Sequence, residues 1–476
     1  MRRVLFNTLT YAKFFAITFA ASWLLYRHKR LRLGLLLVAS YVFYAGWSVS
    51  YLPLLFLCST LDFALGIVIE QARTPRGKKA WLGLTLLSNL GLLAIFKYWN
   101  FGMESLAWVA HATGLPIPAV YLRLALPIGI SFFTFMSLSY VIDVYRGEIP
   151  ACRSYLRYLT FIAFFPHLVA GPIVRGRDLL PALDRDVELS ADTGGEALFY
   201  IAMGLVKKVI LGDYLALNLV DRVFAAPGNY SGVEALAGIY GYAVQVYCDF
   251  SGYTDIAIGS ALLLGYRFPK NFDAPFRSAN VVEFWRRWHI SLSTWLRDYV
   301  YIPLGGSRHG RPRKYLNVFL TMVICGIWHG AAWTFVLFGV IQGAAVAATH
   351  AIRDLLGAKE GAPAPAWRTA IFVVLTFHFT AASFVFIRAE SVQKVLDVYA
   401  RIGTLTTFHP NLSAPVLVAL IGGLLAQWSP AVLHARMRDA FIRLPAPAQG
   451  FVLFAVCAAL REVTSAEAVP FVYFQF

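Results

Sequence analysis

The chain has 476 residues, of which 58% are hydrophobic and only 14% are charged. Soluble domains usually carry about a quarter charged residues, so this composition excludes an ordinary water-soluble protein and predicts an integral membrane protein. The formal net charge of +16 would suggest a nucleic-acid partner for a soluble protein. Here the Lys and Arg residues cluster in short loops between apolar segments, as in cytoplasmic loops of membrane proteins, and we expect no nucleic-acid partner.

A helix that crosses a membrane needs about 20 largely apolar residues, and about ten segments of the chain meet this requirement. They predict an all-α, polytopic membrane protein. The segments lie near 5–26, 33–49, 53–70, 81–99, 123–142, 197–217, 235–264, 369–388, 411–428 and 447–464. No long polar linker separates them, so we expect a single membrane-embedded domain over residues 1–476.

Two further apolar stretches are interrupted by Gly and Pro and predict broken or re-entrant helices. The first, 156–174, contains the sequence FFPHLVAGP, and the second, 315–350, contains GIWHG. Irregular backbone at membrane depth is tolerated only where protein or a water-filled cavity covers the freed polar groups. We therefore expect both stretches to line a tunnel.

The basic loops predict the orientation of the chain. Residues 27–32 and 73–79 are rich in Lys and Arg, which places both loops in the cytoplasm. If both broken stretches enter and leave on one side, all later basic loops are also cytoplasmic and both termini lie outside. The five cysteines are scattered and form no CxxC pair, so neither a disulfide framework nor a zinc site is predicted, and we expect no metal.

Residues 283–299 have the pattern of an amphipathic helix that is too polar to cross a membrane. One predicted face carries Trp285, Trp288, His289, Leu292, Trp295, Leu296 and Tyr299. The surrounding segment 265–314 has ten Lys or Arg residues and three Asp or Glu residues. This basic surface fits two functions: anchoring to anionic membrane lipid, or docking of a polyanionic acyl donor such as coenzyme A.

The stretch 321–333, TMVICGIWHGAAW, places a histidine in an apolar helix with small neighbours. Such a histidine is costly unless it faces protein or a cavity. The pKa of an unperturbed imidazole is about 6.5, which suits proton abstraction from a hydroxyl near neutral pH. The alternative is a structural histidine that is hydrogen-bonded to a neighbouring helix.

Four blocks of sequence together resemble the membrane-bound O-acyltransferase family. They are FFPHLVAGPIVR (164–175), DFSGYTDIAIG (249–259), the block from NFDAPF to YIPLGG (271–306) and GIWHGAAW (326–333). The resemblance extends from roughly residue 120 to the C-terminus. It is strongest to the bacterial branch that acetylates alginate or attaches D-alanine to teichoic acid.

The resemblance implies a role for two histidines. His329 matches the family's essential histidine, deep in a tunnel, where it would act as general base on an acceptor hydroxyl. His289 matches a second polar position, which would orient the donor or the acceptor. The resemblance also implies acetyl-CoA as acyl donor, with no bound cofactor. The candidates for tunnel lining or donor binding are His167, Asp249, Tyr253, Asp255, Trp285, Arg286, Arg287 and Trp328. For the Asp249 to Asp255 group, hydrogen bonding between helices is the alternative.

The chain ends in the aromatic sequence PFVYFQF. It could anchor at the membrane interface, but similar endings occur in the polysaccharide-modifying relatives. We therefore predict that Tyr473 accepts the acyl group and passes it to a periplasmic SGNH-type transferase with a catalytic serine. The resulting prediction is an O-acetyltransferase of the bacterial inner membrane that serves O-acetylation of an exported polysaccharide, with alginate as first choice. Alternatives are another polymer, a lipid acceptor, a carrier-protein-linked acyl donor, or a transporter.

Overall fold

The computed structural model describes residues 5–357 and 365–463. All regular structure in these ranges is helical, which confirms the predicted all-α class. The chain forms two compact units, one made of residues 1–189 and 260–268 and the other of residues 190–259 and 269–476.

Among the described residues, nine α-helices lie wholly within the first unit. They are α1 (Leu9–Leu24), α2 (Lys29–Ala45), α3 (Leu52–Gln71), α4 (Pro75–Leu93), α5 (Trp99–Thr113), α6 (Ile130–Arg146), α7 (Tyr155–Ala163), α8 (Phe165–Leu168) and α9 (Gly176–Ala182). A π-helix, Ala94–Tyr98, joins α4 to α5, and a 3₁₀ turn, Val49–Tyr51, precedes α3. The hydroxyls of Thr8, Thr74 and Ser154 accept backbone N–H bonds at the starts of α1, α4 and α7 and so satisfy groups that a helix leaves unbonded.

The predicted span 123–142 is wrong at its beginning. Residues 115–127 form no helix, and α6 starts only at Ile130. Pro127 within the span explains the difference, because it lacks the N–H that a helix interior needs and disfavours helix at the residue before it. Gly129 then turns the chain into the helix with φ +73°, and a Cβ there would lie 2.5 Å from the Leu168 carbonyl oxygen. The break predicted in 156–174 is confirmed between α7 and α8.

The second unit begins at α10 and ends at α21. Its helices are α10 (Ala191–Leu205), α11 (Asp221–Ala225), α12 (Gly232–Leu263), α13 (Val281–Arg287), α14 (Ile290–Leu296), α15 (Gly310–His329), α16 (Trp333–Leu355), α17 (Ala366–Arg388), α18 (Val392–Gly403), α19 (Ala414–Trp428), α20 (Ala431–Ile442) and α21 (Ala446–Val463). The residues of α12 from Ser260 onward belong to the first unit. Shorter π and 3₁₀ segments are Val206–Asp213, Ala216–Val220, Pro227–Asn229, Pro275–Arg277 and Arg297–Tyr301.

Four helices of the described residues are long and apolar enough to cross a membrane. They are Val49–Gln71, Pro75–Thr113, Trp333–Leu355 and Ala366–Arg388. The pair α19 and α20 makes a fifth if its 96° bend lies within one span. Some of the other predicted spans form shorter helices; α1, for example, has 16 residues. The chain is therefore a multi-pass membrane protein in which several spans are shorter than the sequence pattern suggested.

The stretch 315–350 forms a tight pair of helices, α15 and α16, with the predicted break at Gly330. A Cβ on Gly339 would lie 2.8 Å from the Met322 carbonyl oxygen, and one on Gly343 would lie 2.9 Å from that of Phe319. Small residues four apart allow this close approach of two backbones in a membrane protein.

The single amphipathic helix predicted over 283–299 is wrong. Helix α13 ends at Arg287 and α14 starts at Ile290, with a break at Trp288 and His289. All seven residues of the predicted apolar face are buried within the protein. The face is therefore covered by other side chains of the chain itself, which the helical pattern could not reveal.

Candidate active site

His329 is the last residue of α15 and is buried. The centroid of its imidazole lies 5.1 Å from the Trp328 indole and 6.1 Å from the Phe338 ring of α16, with both rings edge-on. A Cβ on the following residue, Gly330, would collide with the ring of Phe335, so the turn into α16 needs glycine. The hairpin of α15 and α16 thus holds this imidazole in an aromatic environment.

His289 occupies the break between α13 and α14, with its backbone in the left-handed region at φ 44° and ψ 54°. Left-handed backbone is uncommon for residues other than glycine and often marks a functional site. A neighbouring loop keeps it there, because the Asn271 carbonyl oxygen accepts the backbone N–H of Ile290 at 2.9 Å.

The Asn271 side chain also determines the tautomer of His289. Its Oδ1 accepts from the Ser291 backbone N–H at 3.0 Å and from the Ser291 hydroxyl at 2.8 Å. An amide oxygen can only accept hydrogen bonds. The 3.2 Å contact between Asn271 Oδ1 and His289 Nδ1 therefore requires a proton on Nδ1. The ring Nε2 then carries the lone pair.

The second unit brings the two predicted histidines together. The Trp328 ring contacts both, at 6.0 Å from the His289 ring and 5.1 Å from the His329 ring. His289 lies outside the helices long enough to cross a membrane. Burial lowers its pKa well below the ordinary histidine value, and the nearby His329 adds to the shift. His289 is therefore a neutral imidazole at physiological pH.

A cavity of about 560 Å³ lies in the same unit. Its wall carries four cationic side chains and one carboxylate: Arg286, Arg297, Lys314, Arg353 and Asp354. The carboxylate of Asp354 pairs with Lys314 at 2.8 Å, so the balance of the wall remains positive. Met322 of α15 also lines the cavity and lies seven residues, or about 10 Å of helix, before His329.

Comparison with known proteins identifies the family. The family model of membrane-bound O-acyltransferases matches residues 63–387. The chain belongs to this family. The match begins before residue 120, where the sequence blocks had suggested it would start.

Several curated relatives of this acyltransferase cover most of its length. The probable alginate O-acetylase AlgI of Pseudomonas aeruginosa is 42% identical over 372 residues, which cover 78% of this chain and 69% of the relative. The peptidoglycan O-acetyltransferase of Helicobacter pylori is 35% identical over 395 residues, covering 76% of this chain and 72% of the relative. The teichoic acid D-alanyltransferase of Bacillus subtilis is 29% identical over 266 residues, covering 54% and 67%. These findings confirm the predicted enzyme class, a multi-pass membrane O-acyltransferase.

The donor-binding candidates of the acyltransferase divide into two groups. Trp285 and Arg286 line the basic cavity. Arg287 does not line it and instead pairs with Glu283 at 2.8 Å. Trp328 is buried, and its ring contacts those of both histidines.

The candidates on α12 form ion pairs with the π-helix Val206–Asp213. Asp249 pairs with the buried Lys208, which also contacts Asp213 at 2.7 Å. Asp255 pairs with Lys207 at 2.6 Å, and the Tyr253 ring lies 5.4 Å from the Lys208 ammonium group. This polar face therefore makes contacts between helices. The two lysines within an apolar run, VKKVIL, were a sequence signal for it that was not used.

His167 belongs to the first unit, where it is fully buried. Its Nε2 donates to the Phe161 carbonyl oxygen at 2.8 Å, and its ring stacks on Phe268 at 5.4 Å. Tyr473 lies outside the described residues. Sequence reasoning also missed Asn271, Lys314 and Arg353, whose positions beside the site come only from the folded chain.

Proposed function

We propose that this acyltransferase moves an acetyl group from acetyl-CoA to a hydroxyl acceptor, for O-acetylation of an exported polysaccharide such as alginate. The observation that supports this most is the buried pair of His289 and His329 in the same unit as a cavity with a cationic wall. Two imidazoles suit proton transfer, and the cationic wall suits a donor that carries phosphates.

In the proposed reaction His329 acts as the general base. It takes the proton of the acceptor hydroxyl while the acceptor oxygen forms a bond to the thioester carbonyl carbon. The carbon–sulfur bond then breaks, and the leaving thiolate receives the proton from the imidazolium. The Nδ1–H of His289 stays hydrogen-bonded to Asn271. Its Nε2 offers a lone pair that orients a hydrogen of the donor or of the acceptor. The aromatic rings around both histidines would keep bulk water from the thioester.

The donor site of this proposal is the basic cavity. Phosphate groups are bound best by Arg, which presents several donors in a fixed plane. Arg286 and Arg353 come from α13 and α16, so two separate elements would contact the phosphates. Trp285 lies in the same wall, and its ring contacts Phe338, which in turn contacts His329. The acyl end of the donor would pass along these rings.

The remaining parts of the proposal follow the sequence predictions and the curated relatives. The donor enters from the cytoplasm of a bacterium, and the enzyme lies in the inner membrane with both termini periplasmic. Tyr473 accepts the acetyl group as a phenolic ester and passes it to a periplasmic SGNH-type transferase, which modifies the polymer. The alginate acetylase AlgI, with 42% identity, supports acetyl as the acyl group and alginate as the first polymer to test.

The test uses full-length enzyme in nanodiscs with acetyl-CoA labelled on the acetyl group. Label should appear on the enzyme, and should be lost in both His329→Ala and Tyr473→Phe. For His329→Ala we expect a decrease of about 10²–10⁴-fold, the usual contribution of a general base. Label in Tyr473→Phe would reject that acceptor alone. Full activity of His329→Ala, or transfer only from an acyl carrier protein, would reject the proposed chemistry or the proposed donor, respectively.

A further inference from the structure

Gln342 is a fully buried amide in α16 that connects two other helices. Its Oε1 accepts the indole N–H of Trp285 in α13 at 3.0 Å. Its Nε2 donates to the Ser383 hydroxyl in α17 at 2.7 Å. The three side chains thus form one continuous chain of hydrogen bonds through the second unit.

Every group in this chain has only one possible role. The Trp285 indole can only donate, so the amide oxygen must face it. The Ser383 hydroxyl donates to the Thr380 carbonyl oxygen at 2.8 Å and therefore accepts from the amide nitrogen. The amide orientation follows from its partners, and a flipped amide would lose both bonds.

Trp285 has two different surroundings. One is the basic cavity, whose wall it forms together with Arg286 and Met322. The other is the Phe338 ring, 6.4 Å from the Trp285 ring. Phe338 in turn lies 6.1 Å from the His329 imidazole. Ring contacts therefore run without a gap from the cavity wall to the proposed general base.

The polar chain joins three helices and also fixes the orientation of one ring. Burying an amide in an apolar helix is unfavourable unless both of its ends are bonded, and a leucine of similar volume would fill the same space. The amide, unlike a leucine, fixes the orientation of the Trp285 indole, because it accepts the indole N–H. The Phe338 ring, one helical turn before Gln342, holds the indole from a second side.

We propose that Gln342 is a positioning residue, which holds the Trp285 indole as the partition between the donor cavity and His329 and so sets where the acyl thioester stops. The inference rests on the proposed function, since it assumes that the donor occupies this cavity. The inference adds that the approach of the thioester to the His329 imidazole depends on the hydrogen bond from the Trp285 indole to Gln342.

Two variants remove this bond from opposite ends. Trp285→Phe keeps an aromatic wall but lacks the N–H, and Gln342→Leu keeps the volume but lacks the acceptor. We expect each to lower kcat for acetyl transfer by roughly 10- to 100-fold, the effect of an error of about 1 Å in the position of a reacting group. The KM for acetyl-CoA should change little, because the cationic wall is intact. The double variant should be about as slow as the slower single variant, since both remove the same bond.

Trp23→Phe is the matched control. Its indole N–H donates to the Leu263 carbonyl oxygen at 3.0 Å in the first unit, so the same kind of bond is lost elsewhere. We expect normal kcat for this control. Thermal unfolding of each variant in detergent separates loss of activity from loss of fold, and Trp285→Phe serves if Gln342→Leu does not fold.

Multiplying effects in the double variant, or a change in KM at constant kcat, would overturn the positioning role. Normal kcat in both single variants would also overturn it, provided that His329→Ala is inactive in the same assay. If His329→Ala instead retains full activity, the proposed function fails.

Discussion

Two fully buried histidines lie at helix breaks, His167 in the first unit and His289 in the second, and they are fixed in different ways. His167 donates to a backbone carbonyl oxygen six residues earlier and stacks on a phenylalanine. His289 has left-handed backbone and bonds to the side chain of Asn271. The first arrangement closes a local loop, whereas the second fixes a tautomer beside another histidine.

The comparison shows that burial at a break does not by itself indicate chemistry. What distinguishes His289 is that a second imidazole, that of His329, lies nearby, and that Trp328 contacts both rings. The same unit also contains the cationic cavity. His167 instead contacts a backbone carbonyl oxygen and the rings of Phe161, Phe164 and Phe268. We therefore expect substitutions at the two histidines to differ in kind, and the following experiments test this.

The largest effect is expected for His289→Ala. Removing the Nε2 lone pair beside His329 should lower kcat for acetyl transfer about 100-fold, the lower end of the range for a proton-transfer group. Steady-state kinetics with labelled acetyl-CoA measure this. A variant with normal kcat would show that the His289 pocket is only structural and would remove the difference between the two breaks.

Asn271→Ala sharpens the comparison, because it leaves both histidines in place. The His289 ring and Ser291 would lose their common acceptor, so the tautomer would no longer be fixed. We expect kcat to fall about tenfold and the unfolding free energy to fall by about 1–3 kcal/mol, the cost of leaving buried donors without an acceptor. Kinetics and thermal unfolding are measured on the same preparation. A loss of stability with unchanged kcat would contradict the catalytic meaning of this contact.

Arg286→Gln tests the second distinguishing feature, the cationic cavity. Loss of one contact to a donor phosphate should raise the KM for acetyl-CoA about fivefold to tenfold, which corresponds to roughly 1–1.4 kcal/mol. The neighbouring Arg287→Gln is the matched control, since Arg287 pairs with Glu283 and does not line the cavity. Isothermal titration with acetyl-CoA gives the same comparison without turnover. Equal effects of the two variants on the KM would show that the donor does not bind in this cavity.

His167→Gln should have the smallest effect. Glutamine retains an N–H that can reach the Phe161 carbonyl oxygen, so the local loop can stay closed. We expect kcat within about twofold of the unsubstituted enzyme, less than 0.5 kcal/mol in activation free energy. A decrease in kcat comparable to that of His289→Ala would mean that His167 also takes part in the reaction.

Sequence patterns predicted the parts of this protein that depend on local composition. Helix α3 was expected at 53–70 and runs from Leu52 to Gln71, because the run is apolar and its one proline, Pro53, falls in the first turn, where a helix needs no N–H from it. The break at Gly330 followed from the residues around it. The span 123–142 was misjudged at its beginning, where Pro127 outweighed an apolar composition.

The candidate site was only partly predictable. His329 and His289 came from a resemblance of sequence blocks, and the structure brings both into contact with Trp328. Asn271 could not be anticipated, since nothing in the sequence NFDAPF marks an amide that bonds to a ring 18 residues later. Helix periodicity also failed at 283–299, where a loop contact pins the chain and interrupts the helix.

By itself the amino-acid sequence determined the membrane location, the helical class and the enzyme family, because hydrophobicity and short motifs are written along the chain. Only the tertiary structure decided which polar groups face one another. Arg286 and Arg287 are adjacent in sequence, yet one lines a cavity and the other forms an ion pair. The physical reason is that successive helical residues point about 100° apart, so packing assigns neighbours to different environments.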